Sequence, residues 1–306
     1  MAARSNQAKS QLGLKALRLS EVFRRYKHTY KNYDEVLFKA FLNSPRITAV
    51  LKNGTRCENL SRHDVGMLSM LAYHSHSGVN YDAMRQLLTF DFHEKRVRLF
   101  DGLRNGEVVQ VFSNEIYKWL DAEGQTVVDI GANIGDSTLY FALNGARKVF
   151  AFEPYPYSYK WAVRNIVENG VAKNVTLINA AVGGQDGRVV IDPNFVAGTC
   201  ATLREYASGI SIPVLSLKTI VNKHKISSAV LKMDCEGCEH DAIINTDQDI
   251  LKRFTRMQIE YHHDYEDLRA KLEESGFNLS ISKPRTIGPP HLFVGFVFAT
   301  QEPTRP

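Results

Sequence analysis

The residues best able to do chemistry in this chain cluster at three points where a short apolar run stops. At the first, residues 127–130 (VVDI) break into Gly131-Ala132-Asn133-Ile134-Gly135-Asp136. Glycines at 131 and 135 let the backbone turn tightly and approach a ligand closely. Glu153 stands 22 residues after Gly131, at the end of the second apolar run and just before Pro154. An acid at that place can accept hydrogen bonds from both hydroxyls of a ribose. The turn lacks a dinucleotide fingerprint. Asn133 stands where G-x-G-x-x-G needs its second glycine and Asp136 where it needs its third, and a pyrophosphate would meet the acids Asp129 and Asp136. A ligand with a ribose, no phosphates and a zwitterionic amino-acid end fits both observations. S-adenosylmethionine (SAM) has that chemistry.

The other two points supply titratable groups. Asp234, Glu236 and Glu239 follow the run 229–233 (AVLKM), and Glu260, His262 and His263 lie at the end of 257–261 (MQIEY). Such groups at the ends of adjacent strands make a credible reaction centre. Methyl transfer from a sulfonium is an in-line displacement, so the protein must align the acceptor and, for a hydroxyl, remove its proton. Asp234 is the first choice for base or substrate ligand, with Glu236 beside it. His262 is the rival, because an imidazole titrates near working pH. Asp-Cys-Glu-Gly replaces the Asn-Pro-Pro-Tyr type of motif that amino-group methyltransferases carry at this strand, which favours an oxygen acceptor. Asp234, Glu236 and Glu260 also offer hard oxygen ligands to a divalent cation, an option the reading leaves open without assigning a metal. Cys235 and Cys238 spell C-x-x-C with no partner pair, and neither zinc nor redox use is expected.

The elements that must position these residues alternate. Strands are expected at 127–130, 148–152, 175–181, 229–233 and 257–261, and helices at 137–143, 157–169, from about 238, and 265–275. Two adjacent strands, 277–282 and 292–299, close the chain. Strand–helix alternation implies a mostly parallel sheet covered on both faces, with the closing pair as an antiparallel edge. Residues 183–228 interrupt the rhythm with a turn at 183–187, a segment at 194–204 and a strand at 212–217. The first 120 residues read as mixed α+β. A basic helical stretch reaches about Asn43, a hairpin at 47–58 turns at Asn53-Gly54, and a helix covers 62–73. A second strand pair, 96–100 with 107–112, is expected to turn at 104–106, and a short helix at 114–121.

Three segments carry a family resemblance, VVDIGANIGDSTLYFA (127–142), VFAFEPYPYSYKWAVRNIVENG (149–170) and LKMDCEGCEHDAI (231–243), and the preceding EIYKWL (115–120) resembles the family as well. Over roughly residues 110–300 the sequence resembles the FkbM methyltransferases of the class I SAM-dependent superfamily. That resemblance implies a Rossmann-like α/β fold with a seven-stranded sheet over 121–306, preceded by the α+β region 1–120. It also implies methyl transfer from SAM, usually to a hydroxyl of a sugar or secondary metabolite. Carried over residue by residue, Asp129, Gly131, Asn133 and Gly135 would contact the methionine part of SAM. Glu153 would hold the ribose, Pro154 would shape the loop beside it, and Asn179 and Ala180 would border the adenine. Asn179 is open to two readings, recognition of the adenine amine or capping of a buried turn.

Composition sets the limits. The chain has 306 residues, 44% of them hydrophobic and 23% charged, and its net charge is +5. No apolar run is long enough to span a membrane or resembles a signal peptide, so a cytoplasmic location is expected. Four cysteines do not suggest a disulfide framework. Residues 1–32 hold eight Lys or Arg against one acid, Glu21, interleaved with leucines. This block reads as a solvated helix, as a peripheral contact to a membrane or lipid-linked substrate, or as an arm for RNA. A glycan or small-molecule hydroxyl is the expected acceptor. RNA methylation through the basic arm is the alternative, and nucleic acid is not the expected partner.

Overall fold

The computed structural model describes residues 19–74, 78–195, 208–262, 264–287 and 292–302. The chain divides into two compact units: residues 1–104 with 108–114, and residues 105–107 with 115–306. The basic segment 1–18, most of 194–204 and His263 lie outside the described residues.

In the first unit the basic stretch forms two helices, residues 19–29 and Tyr33–Phe41. They are separated where Tyr30 bridges Leu51. The expected hairpin pairs Ile47–Val50 with Arg56–Leu60, and Gly54 takes φ 95° in its turn. Helix Arg62–Tyr73 begins with a capping box, in which Asp64 N–H donates to Ser61 Oγ and Ser61 N–H donates to the Asp64 carboxylate. The expected pairing of 96–100 with 107–112 does not form. Lys95–Phe100 pairs instead with Leu87–Phe92, which pairs with Asn80–Asp82. The actual turn is His93-Glu94, both at positive φ (43° and 62°), the backbone that lets a two-residue turn follow the strand twist. Asn105-Gly106 drew the sequence reading to the wrong place. Gly102–Asn105 is helical there, and Val109–Ser113 is a π-helix. The helix expected at 114–121 shrinks to a 3₁₀ turn, Lys118–Leu120, ended by Asp121 at φ 50°.

The second unit is a sheet clad with helices. Its strands are β1 (Thr126–Ile130), β2 (Lys148–Phe152), β3 (Val175–Ile178), β4 (Ala229–Met233), β5 (Phe254–His262), β6 (Asn278–Ile281) and β7 (Leu292–Thr300). The spatial order is β3-β2-β1-β4-β5-β7-β6, with Arg285–Ile287 added onto β7. The contacts among β1 to β5 are parallel. β7 runs antiparallel to both β5 and β6, so the antiparallel strand sits one place in from the edge. The helices α1 (Asp136–Leu143), α2 (Pro156–Glu168), α3 (Leu217–Lys223), α4 (Glu239–Ile244) and α5 (Glu266–Glu274) connect the strands.

β1 and β4 are buried along their whole lengths, which explains why they read as continuous apolar runs rather than alternating ones. The core under α3, α4 and α5 is built from Leu231, Met233, Ile243, Leu251, Phe254, Ile259 and Leu272, among others. The third expected strand, 175–181, divides. Val175–Ile178 stays in the main sheet, while Ala181–Val182 pairs with Ile210–Leu215 in a small separate sheet that also contains Gly187–Ile191. The chain order leaves the ends of β1, β2, β4 and β5 side by side, where an open parallel sheet receives its ligand.

The capping box gives a direct test of the first unit. Ser61→Ala removes the acceptor for Asp64 N–H, and urea denaturation should show a loss of about 1 kcal/mol. An unchanged midpoint would mean that the helix start is held by something else.

Candidate functional site at the strand ends

The turn after β1 is held from beneath by Lys232. This residue lies on β4 and is only 2% exposed. Its ammonium donates to the carbonyls of Ile130 (3.1 Å) and Gly131 (2.7 Å) and pairs with Asp129 at 3.4 Å. It also sits 5.7 Å from the ring centre of Tyr117. Burial alone would lower the lysine pKa, but the carboxylates of Asp129, Asp234 and Asp136 outweigh it and push it up to about 12. Asp129 is fully buried and accepts from Ser137 Oγ (2.9 Å) and Thr138 Oγ1 (2.6 Å) on α1. The structure thus places Asp129 inside the scaffold of the turn.

Both glycines of the turn answer to packing. Gly131 has φ 79°, and a Cβ there would run into the carbonyl oxygen of Asp234. Gly135 has φ 86°, and a Cβ there would come within 3.2 Å of Ala162 on α2. Asn133, at φ 46°, accepts from Ser158 Oγ at 3.0 Å.

Glu153, at the end of β2, is 5% exposed. One of its oxygens accepts from Asn133 N–H (2.9 Å) and the other from Tyr155 N–H (2.8 Å). Each carboxylate oxygen has a second lone pair, which is what a ribose could use. Burial raises the Glu153 pKa to about 7 against the lowering effect of those two N–H groups. Asn179 caps the turn: its amide donates to the carbonyls of Glu153 (2.8 Å) and Pro154 (2.9 Å). Its oxygen is the atom that could meet an adenine amine. Ala180 is fully buried in the core beneath.

The acids of the reaction centre come together as the strand order requires. Asp234 N–H donates to Ile130 O at 3.1 Å, and the Tyr117 hydroxyl donates to Asp234 Oδ2 at 3.1 Å. Glu260 hydrogen-bonds Asp234, and burial together with Asp234, Glu107 and Glu236 pushes its pKa up to about 11. His262 pairs with Glu236 at 2.9 Å and lies 3.8 Å from Glu260 and 3.9 Å from Glu239. Burial works against its protonation, but these carboxylates prevail and raise its pKa. Glu239 is buried and accepts from Cys235 N–H and Gly237 N–H, both at 2.8 Å, so it braces the loop carrying Glu236.

That loop corrects the expectation for the cysteines. Cys235 and Cys238 form a disulfide. Positive φ at Glu236 (59°) and Gly237 (123°) folds the loop back, bringing the two Cα atoms to 5.6 Å. Cys57, buried in the first unit, is free.

Three residues of the site escaped the sequence reading. Tyr117 precedes β1 and is almost fully buried, and burial and the surrounding acids raise its pKa well above the usual phenol range. Lys232 was hidden inside an apolar strand, although a lysine in such a run is itself a signal that a buried charge awaits it. Glu107 lies far from the motifs in sequence. Its backbone N–H donates to Asp136 Oδ2 at 2.8 Å, and burial beside Asp234 and Asp136 pushes its pKa up to about 8.

A model of the methyltransferase FkbM domain matches residues 129–279. Similar solved structures include methyltransferase FkbM from Methylobacillus flagellatus KT, at 18% identity and TM-score 0.42, covering 57% of this chain and 43% of that one. Trm5b from Pyrococcus abyssi aligns at 14% identity and TM-score 0.42, covering 83% of this chain and 62% of that one. TYW2 from M. jannaschii, in complex with AdoMet, aligns at 18% identity and TM-score 0.36, covering 72% of this chain and 87% of that one. The chain therefore spans less than two thirds of the first two structures. No curated protein matches it.

The buried acids set a pH dependence. Asp136, Glu153 and Glu107 hold their protons up to about 6, 7 and 8 in the folded chain, whereas unfolded carboxyls ionise near about 4. Between those limits the folded state binds more protons, so stability falls as pH rises. The melting temperature of the unliganded protein should drop between about pH 5 and pH 8, and less steeply in Glu107→Gln. A rise over that window, or an unchanged slope in the variant, contradicts this.

Proposed function

We propose, for a chain that belongs to the methyltransferase FkbM family through residues 129–279, that it methylates a hydroxyl of an uncharged acceptor using SAM. A glycan, a lipid-linked sugar or a small metabolite has the right chemistry. The observation that carries this reading is the juxtaposition of the glycine turn with Asp234. The backbone at Gly131 lies against the Asp234 carbonyl, so a cofactor held at the turn would lie next to the residue that carries this carboxylate.

The residues present suit SAM. The remaining lone pairs of Glu153 suit a ribose, and the acids beside the turn suit the cationic sulfonium. When bound, SAM supplies a methyl group already activated by its sulfonium. The protein supplies alignment and proton removal. Asp234 is the better base of the two candidates. His262 is held toward its charged form by Glu236 and Glu239, and a protonated imidazole cannot accept a proton. Tyr117 donates to Asp234 and fixes its orientation.

The acid lining also bears on the acceptor class. Glu107, Asp136, Asp234, Glu236 and Glu260 surround this edge with Lys232 already committed beneath it. Such a wall offers hydrogen-bond partners to a neutral hydroxyl. RNA remains the second reading, through the basic residues 1–32. A peripheral membrane contact fits exposed Leu19, Phe23, Phe38 and Phe41 on the first helices, which lie close in sequence to Lys27, Lys31 and Lys39. None of the described helices is long and apolar enough to cross a membrane.

Labelled SAM incubated with a cell extract should pass its methyl group to the glycolipid or small-molecule fraction. Label confined to RNA would favour the arm reading. Glu153→Gln should weaken SAM binding by about 1.5–3 kcal/mol, read by calorimetry on a folded variant. Unchanged affinity would remove Glu153 from the ribose site. Asp234→Asn should lower kcat by about 10²–10⁴-fold with SAM affinity little altered. Near-normal turnover would rule Asp234 out as the base.

A further inference from the structure

We propose that Glu236, Glu260 and His262 form a binding site for a divalent cation that holds the acceptor. One donor atom from each residue can be chosen so that all three lie within 4.8 Å of one another. His262 Nε2 is 2.9 Å from Glu236 Oε2 and 3.8 Å from Glu260 Oε2. Ligands about 2.0–2.2 Å from a shared ion stand no more than about 4.4 Å apart. Two edges of the triangle already satisfy that limit, and the third lies within 4.8 Å.

The framework holds the three in place. Glu260 and His262 alternate along β5 and so project to the same side of the sheet. Glu236 lies on the loop after β4, which is closed by the Cys235–Cys238 bridge and braced by two backbone bonds to Glu239. Behind His262, Glu239 Oε1 lies 3.9 Å from Nδ1. Nδ1 itself is buried and makes no hydrogen bond among the described residues. Glu239 thus stands behind the ring without bonding it, while Nε2 is the ring nitrogen near Glu236 and Glu260.

The acids gather at the same place. Glu236, Glu260 and Asp234 converge at one partly buried edge, and the nearby ammonium of Lys232 is already spent on Asp129 and two carbonyls. Two carboxylate oxygens and one imidazole suit an ion of the Mg²⁺ or Mn²⁺ class, with Mn²⁺ the more tolerant of nitrogen. Asp234 adjoins the ion's remaining positions. An acceptor hydroxyl flanked by a second oxygen, as in a vicinal diol, would chelate there with its proton facing the base. That role rests on the hydroxyl-acceptor reading, whereas binding of the ion does not.

The test is a Mn²⁺ titration of the full chain after dialysis against chelator, with free Mn²⁺ followed by electron paramagnetic resonance. SAM affinity is measured alongside by calorimetry. The unsubstituted chain should bind a single equivalent. Glu260→Gln and His262→Gln should each weaken binding by at least about 10- to 100-fold while leaving SAM affinity intact. Absence of Mn²⁺ binding by the unsubstituted chain overturns the site, whatever the variants do, and so does unchanged Mn²⁺ affinity in both variants. Methyl transfer that continues with no Mn²⁺ or Mg²⁺ bound overturns the acceptor-holding role, while the methyltransferase reading survives. A chain that binds Mn²⁺ through these residues yet transfers no methyl group upholds the site and defeats that reading instead.

Discussion

Everything at the strand ends depends on one buried charge pair, Lys232 with Asp129. A lysine and an aspartate with almost no exposure are costly to bury, and their attraction together with the hydrogen bonds around them offsets that cost. Here Lys232 uses its other protons on the carbonyls of Ile130 and Gly131, and Asp129 takes the hydroxyls of Ser137 and Thr138. The pair thereby joins β4 to β1, to the turn and to the first turn of α1. Losing either partner would leave an uncompensated charge in the core. It would also free the turn on which the cofactor reading rests.

Much of this was legible in the sequence because it rests on short-range rules. Continuously apolar strands ending in glycine or acid marked β1, β2 and β4 almost to the residue, and Glu153 announced itself by spacing. The illegible parts depend on contacts between distant segments. Tyr117 reaches Asp234 across 117 residues, and no local pattern reveals that. The turn at His93-Glu94 was missed because it holds neither glycine nor asparagine, the usual signals of such a turn, while Asn105-Gly106, a stronger local signal, was overridden by its surroundings. Gly131 and Gly135 were found for one reason and prove to be needed for another. The sequence motif suggests access for a ligand, whereas the structure shows Asp234 and Ala162 occupying the space a side chain would take.

The acids show how burial changes the meaning of a motif. Asp-Cys-Glu-Gly-Cys-Glu places three carboxyls within six residues, and sequence alone ranks Asp234 first with Glu236 beside it. In the fold they separate by role. Glu239 turns inward and braces a loop, Asp234 faces the glycine turn with a tyrosine hydroxyl on it, and Glu236 pairs with His262. The difference arises from the reversal at Glu236 and Gly237, which sends successive side chains in unrelated directions.

The close approach of Gly131 to the Asp234 carbonyl has a mechanical consequence. With no side chain between them, the ends of β1 and β4 cannot slide past one another, and Asp234 N–H is bonded back to Ile130 O. The floor beneath the cofactor and the backbone that carries the carboxylate are therefore one rigid body. A ligand that tightens the turn also fixes the height of that carboxylate, with no intervening relay.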